Sequence, residues 1–175
     1  TGAAVKFDVG SFLLGADARL SADGTGWFWY ESANDPLATL TQGSWQTRAP
    51  GAGGDDNPQS AYNRGGGYGA KGGNSNGKYG CAYGFKYAPF LSGSPNGIYG
   101  NRFNYAVRPG GTVWVESAGA CVLLGKISAD GATAAFGTGS GGGVWIAAKS
   151  LAVGPRATVS AVGGVMTGNA CYASR

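Results

Sequence analysis

The chain has 175 residues, of which 35 are Gly, 43% are hydrophobic and only 13% are charged, so one ordered domain is expected and a disordered chain is excluded. It contains no His, which weighs against Ser-His-Asp or Cys-His catalysis and against histidine-ligated zinc. Its net charge of +4 is spread without basic runs, and no apolar run approaches the roughly 20 residues that span a bilayer, so neither nucleic-acid binding nor membrane insertion is expected.

The first predicted element is a β-strand near the start of the chain, because Val5, Phe7 and Val9 alternate with polar residues. The tetrapeptide SADG follows at residues 21–24, and its Asp-Gly pair is typical of a turn. SADG recurs at 128–131 and, as SAVG, at 160–163, and an alternating apolar run opens fifteen or sixteen residues before each copy. Three matched units predict one supersecondary element used repeatedly, with residues 1–24 as its first coil.

Residues 25–111 are predicted to form a long insertion. Aromatic strand candidates at 27–30 and 37–45 are followed by Gly, Asn, Ser and Pro interleaved with Tyr, which is too glycine-rich for an ordinary sheet and too aromatic for a simple linker. Asp55 and Asp56 are interpreted as part of a turn, with a Ca²⁺ site as the alternative. Catalysis is disfavoured because neighbouring side chains of an extended chain point to opposite sides. The glycine tract lacks the GxxxxGK[ST] motif, so no nucleotide or other cofactor is expected.

Residues 112–175 are predicted to hold the further coils. Strands are expected at 112–117 and 121–128 around a corner near Gly119, and at 143–148 and 157–161 around a corner at Gly154 and Pro155. Gly or Pro interrupts every helix-compatible stretch longer than about ten residues. We therefore expect one all-β domain over residues 1–175, with β-solenoid or β-helix-like coils, a long Gly- and Tyr-rich insertion and almost no helix.

Trp114 and Trp145 occupy equivalent positions of two repeats, each between aliphatic neighbours. In a strand they face away from those neighbours. If the aliphatic residues form the core, the two Trp side chains form either an exposed ladder that contacts another chain or a face that the insertion covers.

Cys81, Cys121 and Cys171 are far apart and form no CxxC pair for zinc or thiol redox chemistry. One expectation is a disulfide with one free thiol, or a bridge between chains through Cys171. The other is that all three are small buried hydrophobic residues. The chain begins at Thr1 without a signal-like segment, so it is expected to be a processed mature protein or an excised fragment.

The order of several glycine-containing motifs carries a family resemblance. GGGYGAKGG at 65–73 is followed by YG, by APFLSGS at 88–94, by GGTVWVE at 110–116 and by GKISADG at 125–131. This order resembles the glycine-rich β-solenoid repeats of large secreted and cell-surface proteins of bacteria and protists, over residues 62–164 and more faintly over 5–24. The resemblance implies an extracellular, non-enzymatic fibre or surface component with a β-helical core and no catalytic residue set.

The chain departs from that pattern between residues 92 and 111, where Tyr99, Phe103 and Tyr105 interrupt the glycines. Such a polar and aromatic insertion is a candidate subunit contact or glycan-stacking site, because aromatic rings serve both purposes.

Two functions are predicted. The first is an extracellular structural protein that self-associates into a fibre, filament, sheath or surface layer, because a solenoid without caps leaves unpaired strand edges, and little sequence before Val5 or after Val165 remains for caps. The second is a carbohydrate-binding adhesin or the receptor-binding tip of a viral or phage fibre. A polysaccharide lyase or hydrolase of the β-helix type is the disfavoured third function, and no catalytic residue is predicted.

Overall fold

The computed structural model describes residues 4–27, 51, 66–72, 81–85, 87, 89–95, 107–134 and 138–165. All regular secondary structure in these residues is β-strand and none is helix, so the strand-rich fold predicted from the alternation is confirmed for them. The strands are β1 (Ala4–Val9), β2 (Phe12–Leu14), β3 (Arg19–Ser21), β4 (Thr112–Leu123), β5 (Lys126–Ser128), β6 (Gly143–Val153) and β7 (Thr158–Ser160).

The strands form two parallel sheets. In the larger sheet, β1 and β2 pair with one edge of β4, and β6 pairs with the other edge. In the smaller sheet, β5 lies between β3 and β7. We call β1 to β3 the first repeat, β4 and β5 the second repeat, and β6 and β7 the third repeat. Each repeat contributes to both sheets, and neither sheet closes on itself within the described residues.

The pairing joins equivalent residues of the three repeats. The alignment predicted from sequence is therefore the register of both sheets. Two sets of paired residues mark this register: Val5, Val113 and Val144 in the larger sheet, and Ser21, Ser128 and Ser160 in the smaller one.

The second repeat differs from its prediction, because β4 runs without a corner past Gly119. Its pairing with β6 shifts register between Ser117 and Ala120, so the strand accommodates the glycine as a local irregularity. The corner lies instead at Leu124 and Gly125, between β4 and β5. In the third repeat, the corner between β6 and β7 lies where the sequence predicts it.

The core is built mainly from the second repeat. Val113, Val115, Cys121, Leu123 and Ile127 are at most 1% exposed, because the first and third repeats cover them from both sides. Side chains along a strand alternate between its two faces, so the residues between these lie on the opposite face of β4.

The glycine-rich segments pack beside the sheets through their backbones. The Gly93 N–H donates to the Gly110 carbonyl at 2.8 Å, and the Gly110 N–H donates to the Ser140 carbonyl at 2.9 Å. A Cβ added at Gly110 would overlap the carbonyl oxygen of Ala129, so glycine is required there by the close approach of two backbones. Part of the predicted insertion therefore packs against the repeats and does not loop away from them.

Candidate functional site

An aspartate at the end of each of the first two repeats bonds to the repeat that follows. Asp23 Oδ2 accepts a hydrogen bond from Ser128 Oγ at 2.9 Å, and its Oδ1 accepts one from the Asp130 N–H at 2.7 Å. One repeat further, Asp130 Oδ2 accepts from Ser160 Oγ at 2.9 Å, and its Oδ1 accepts from the Val162 N–H at 2.9 Å. The two carboxylates make the same pair of contacts. We call Asp23, Asp130 and these partners the aspartate ladder.

The electrostatics of Asp23 favour its charged form. Burial raises the pKa of its carboxyl, but hydrogen bonds from the Asp130 N–H, from the Ser128 and Ser21 hydroxyls and from Arg19 outweigh burial and leave that pKa below its ordinary value. Arg19 also forms an ion pair with this carboxylate. The sequence interpretation of Asp23 as a turn residue is therefore incomplete, because its side chain also joins two repeats.

Val162 ends the aspartate ladder in the third repeat. Its backbone N–H is bound by Asp130, but its side chain provides no acceptor for a further repeat. The Val162 side chain is 62% exposed. The last rung of the ladder thus presents an apolar group where the other two repeats present a carboxylate.

The rest of the third repeat exposes apolar side chains that its neighbour buries. Val153 pairs with Leu123, and Val159 pairs with Ile127. Val153 and Val159 are 58% and 49% exposed, whereas their partners in the second repeat are at most 1% exposed. This difference arises because the second repeat is covered on both sides and the third on only one. We call the uncovered side of β6 and β7 the third-repeat edge.

An aromatic cluster lies on the face of the larger sheet opposite the core. The ring centroids of Trp114 and Trp145 are 5.6 Å apart, and Phe90 packs on Trp114 at 6.0 Å. Lys6 Nζ lies 5.3 Å from the centroid of the Trp114 ring, within the range of a cation–π contact. Phe90 belongs to the predicted insertion, so the insertion covers part of the Trp pair. Phe85 stacks on Phe90 at 6.0 Å and is 66% exposed, which extends the ring surface to solvent.

Buried hydroxyls join the glycine-rich segments. Ser94 Oγ donates to the Tyr83 hydroxyl at 3.0 Å, and the Ser94 N–H donates to Ser140 Oγ at 2.8 Å. Burial raises the pKa of Tyr83 to about 12, so its phenol is protonated at neutral pH. These three residues bond to hydroxyl and backbone groups, which is an arrangement that stabilises packing and does not activate a nucleophile.

Two of the three cysteines are described, and both are free thiols. Cys121 lies in the core, and burial raises the pKa of its thiol, as expected of a small buried hydrophobic residue. Cys81 is exposed, so the expectation that all three cysteines are buried is wrong for this residue, and no disulfide joins it to Cys121. Cys171 lies outside the described residues, so its bridge between chains stays a prediction.

The other predicted site residues also lie outside the described part of the chain: Asp55, Asp56, Tyr99, Phe103 and Tyr105. The predictions made for them stay predictions. Among the residues that the structure describes, no group of three or more His, Cys, Asp and Glu could hold a metal ion. The same part of the chain contains no helix with the length and apolarity needed to cross a membrane.

The sequence interpretation missed the aspartate ladder and its end. One signal was available, because two copies of the tetrapeptide contain Asp at the third position and the last copy contains Val162. Reading that difference as functional requires knowing that Asp23 and Asp130 bond across repeats, which the one-dimensional pattern does not show.

Comparison with known proteins gives no indication of function. No family model matches the chain, no curated protein matches it, and no solved structure matches it.

Proposed function

We propose that this chain is a non-enzymatic, extracellular structural protein whose copies self-assemble into a fibre, filament, sheath or surface layer. The observation that carries the proposal is the in-register parallel pairing of three repeats, which leaves a strand edge open on either side of the larger sheet within the described residues. The third-repeat edge includes β6, which is 11 residues long. The unpaired N–H and C=O groups of such an edge pair readily with another chain.

We interpret the three repeats as coils of a β-solenoid. Each repeat contributes to both sheets in the same order, and equivalent residues stack from one repeat to the next. In a solenoid each repeat contacts only its neighbours, so the terminal repeats need either caps or partners. An extracellular location agrees with the resemblance to secreted and cell-surface glycine-rich proteins.

Two properties support a non-enzymatic role. The sequence lacks His, which is the most common general acid or base in enzymes. The carboxylates of Asp23 and Asp130 are engaged by the following repeat, and a carboxylate bound in this way is held in place as a structural anion.

Self-assembly is tested by sedimentation velocity over a wide range of protein concentration, with negative-stain electron microscopy of the same samples. We expect the average sedimentation coefficient to rise with concentration and elongated particles to appear. A monomer at every concentration would contradict the proposal. Antibody labelling of intact source cells tests the location, with labelling before permeabilisation as the expected result and labelling only afterwards as the contradicting one.

A carbohydrate-binding adhesin, or the receptor-binding tip of a viral or phage fibre, is the second candidate, and the aromatic cluster favours it. Phe85 and Phe90 are 66% and 39% exposed with stacked rings, and exposed rings of this kind bind the apolar faces of sugars. A glycan array tests this function with the Phe85→Ala and Phe90→Ala variants, and Leu13→Ala is the control because Leu13 is an exposed apolar residue outside the cluster. Binding lost only in the Phe variants supports the candidate, and absence of binding by the native protein rejects it.

A further inference from the structure

We propose that copies of this chain stack head to tail, with the third repeat of one copy pairing with the first repeat of the next in the register that joins repeats within one chain. The inference rests on the self-assembly proposed above and names the two surfaces that meet. One is the third-repeat edge. The other, which we call the first-repeat edge, is the uncovered side of β1, β2 and β3.

The pairing within the chain determines which edges are complementary. β4 offers one edge to β1 and β2 and the opposite edge to β6, and all of these pairs are parallel. The free edge of β6 therefore corresponds to the edge of β4 that β6 occupies, and the free edges of β1 and β2 correspond to the opposite edge of β4. A second copy displaced along the stack brings the two free edges together without inverting either. Such an interface is heterologous and does not close, so it generates a filament.

Apolar burial favours this junction. Val153 and Val159 of the third-repeat edge are about half exposed, and they occupy the positions of Leu123 and Ile127, which are buried. A first repeat placed on this edge would set Leu14 of the next copy against Val153, because Leu14 pairs with Leu123 within the chain. The junction would thus give the third repeat the cover that the second repeat already has.

Charge complementarity at one corner favours the same junction. Residues 15–18 and 154–157 form equivalent turns, and in each the N–H of the fourth residue donates to the carbonyl of the first at 3.0 Å. The third residue is Asp17 in the first turn and Arg156 in the second; both are exposed, and neither forms an ion pair with a described residue. Within one chain the turns are separated by the second repeat, which has only Leu124 and Gly125 at that corner. Stacking would place Asp17 of the next copy directly over Arg156.

The aspartate ladder would be interrupted at the junction. Ser21 and the Asp23 N–H of the next copy would take the places that Ser128 and the Asp130 N–H take within the chain. Val162 offers them no carboxylate, so the junction lacks two hydrogen bonds that each internal contact between repeats possesses. Val162→Asp would supply the missing acceptor, and it would strengthen association only if the first repeat of another copy lies in this register.

A charge swap tests the junction. Sedimentation velocity is measured for the native protein, for Asp17→Arg, for Arg156→Asp, for the double variant and for Val162→Asp. Each single reversal places like charges together and should weaken association by about threefold to tenfold, with a smaller effect at high salt. The double variant should recover the native affinity, and Val162→Asp should tighten association by about tenfold through added charge-assisted hydrogen bonds. Lys126→Asp is the control, because Lys126 lies in the covered second repeat.

The outcomes separate this inference from the proposed function. The proposed junction is wrong if the native protein associates but neither single reversal weakens its association. It is also wrong if Val162→Asp does not tighten the association. Self-assembly itself still stands in both cases. A monomer at all concentrations in both the native protein and Val162→Asp overturns self-assembly itself. Circular dichroism shows whether each variant is folded, and recovery in the double variant shows that neither reversal acts by preventing folding.

Discussion

Asp23 Oδ1 accepts a hydrogen bond from the Asp130 N–H at 2.7 Å, so the aspartate of one repeat fixes the backbone of the aspartate of the next. The same carboxylate accepts from Ser128 Oγ, which holds the second repeat at a side chain as well. Hydrogen bonds to a charged acceptor are stronger than neutral ones. The turn sequence therefore helps to set the register between repeats in addition to forming a turn.

Replacing Asp130 should destabilise the fold. Asp130→Ala removes the acceptor for both Ser160 Oγ and the Val162 N–H, so we expect the free energy of unfolding to fall by about 1–3 kcal/mol in urea titrations. Asp130→Asn keeps one carbonyl acceptor and should lose less. The control is Asp8→Ala, at an exposed position of β1, with an expected change within about 0.5 kcal/mol. Equal stability of the two alanine variants would refute the role of the ladder.

Acid should weaken the protein partly through Asp23. Burial raises the pKa of this carboxyl, but its hydrogen bonds outweigh burial and the pKa lies below its ordinary value. A group of this kind contributes stability above its unfolded pKa of about 3.9 and loses that contribution as the pH falls through the folded pKa. At pH values below about 4, the urea concentration at the unfolding midpoint should therefore decrease, and this decrease should be smaller in Asp23→Asn. Parallel pH profiles for the two proteins would contradict this assignment.

The close packing of glycine-rich backbones should make Gly110 intolerant of a side chain. A Cβ at this position would overlap the Ala129 carbonyl oxygen, so Gly110→Ala should cost about 1–3 kcal/mol or more of unfolding free energy. Gly15→Ala is a matched control, because a Cβ at Gly15 would meet no atom within 4 Å. Urea titrations followed by circular dichroism compare the two variants. A Gly110→Ala protein as stable as Gly15→Ala would mean that the two backbones do not approach so closely.

The two described thiols should differ in reactivity. Cys81 is exposed and Cys121 is buried, so iodoacetamide should alkylate Cys81 in the native protein and Cys121 only after unfolding. Mass spectrometry of the digested protein identifies which cysteine has reacted. Rapid native alkylation of Cys121 would show that the second repeat is not covered on both sides.

The repeats could be predicted from the sequence because both of their signals are local. A strand repeats every two residues, and the similar spacings from Val113 to Ser128 and from Val144 to Ser160, 15 and 16 residues, reflect similar paths along the chain. The corner assigned to Gly119 was wrong, because glycine serves equally well in a turn and in a strand irregularity. The contact between Gly93 and Gly110 joins two backbones, so it leaves no pattern of side chains to detect.

The candidate surfaces were only partly predictable for a related reason. The equivalence of Trp114 and Trp145 follows from the alignment, and their rings do pack together. The correspondence of Asp17 and Arg156 does not, because the two turns share no sequence motif and the second repeat has a shorter corner between them. It becomes visible only when the strands on either side are set in register.

The aspartate ladder also indicates which repeat of the chain can be duplicated so that its hydrogen bonds continue. The second repeat is the only described repeat that both receives a carboxylate, from Asp23, and supplies one, from Asp130. An extra copy of it would therefore find a matching neighbour on each side. The third repeat receives a carboxylate from Asp130 but supplies none, because Val162 stands where the other repeats have an aspartate. Gain or loss of units like the second repeat would therefore lengthen or shorten the row of repeats without interrupting the aspartate ladder.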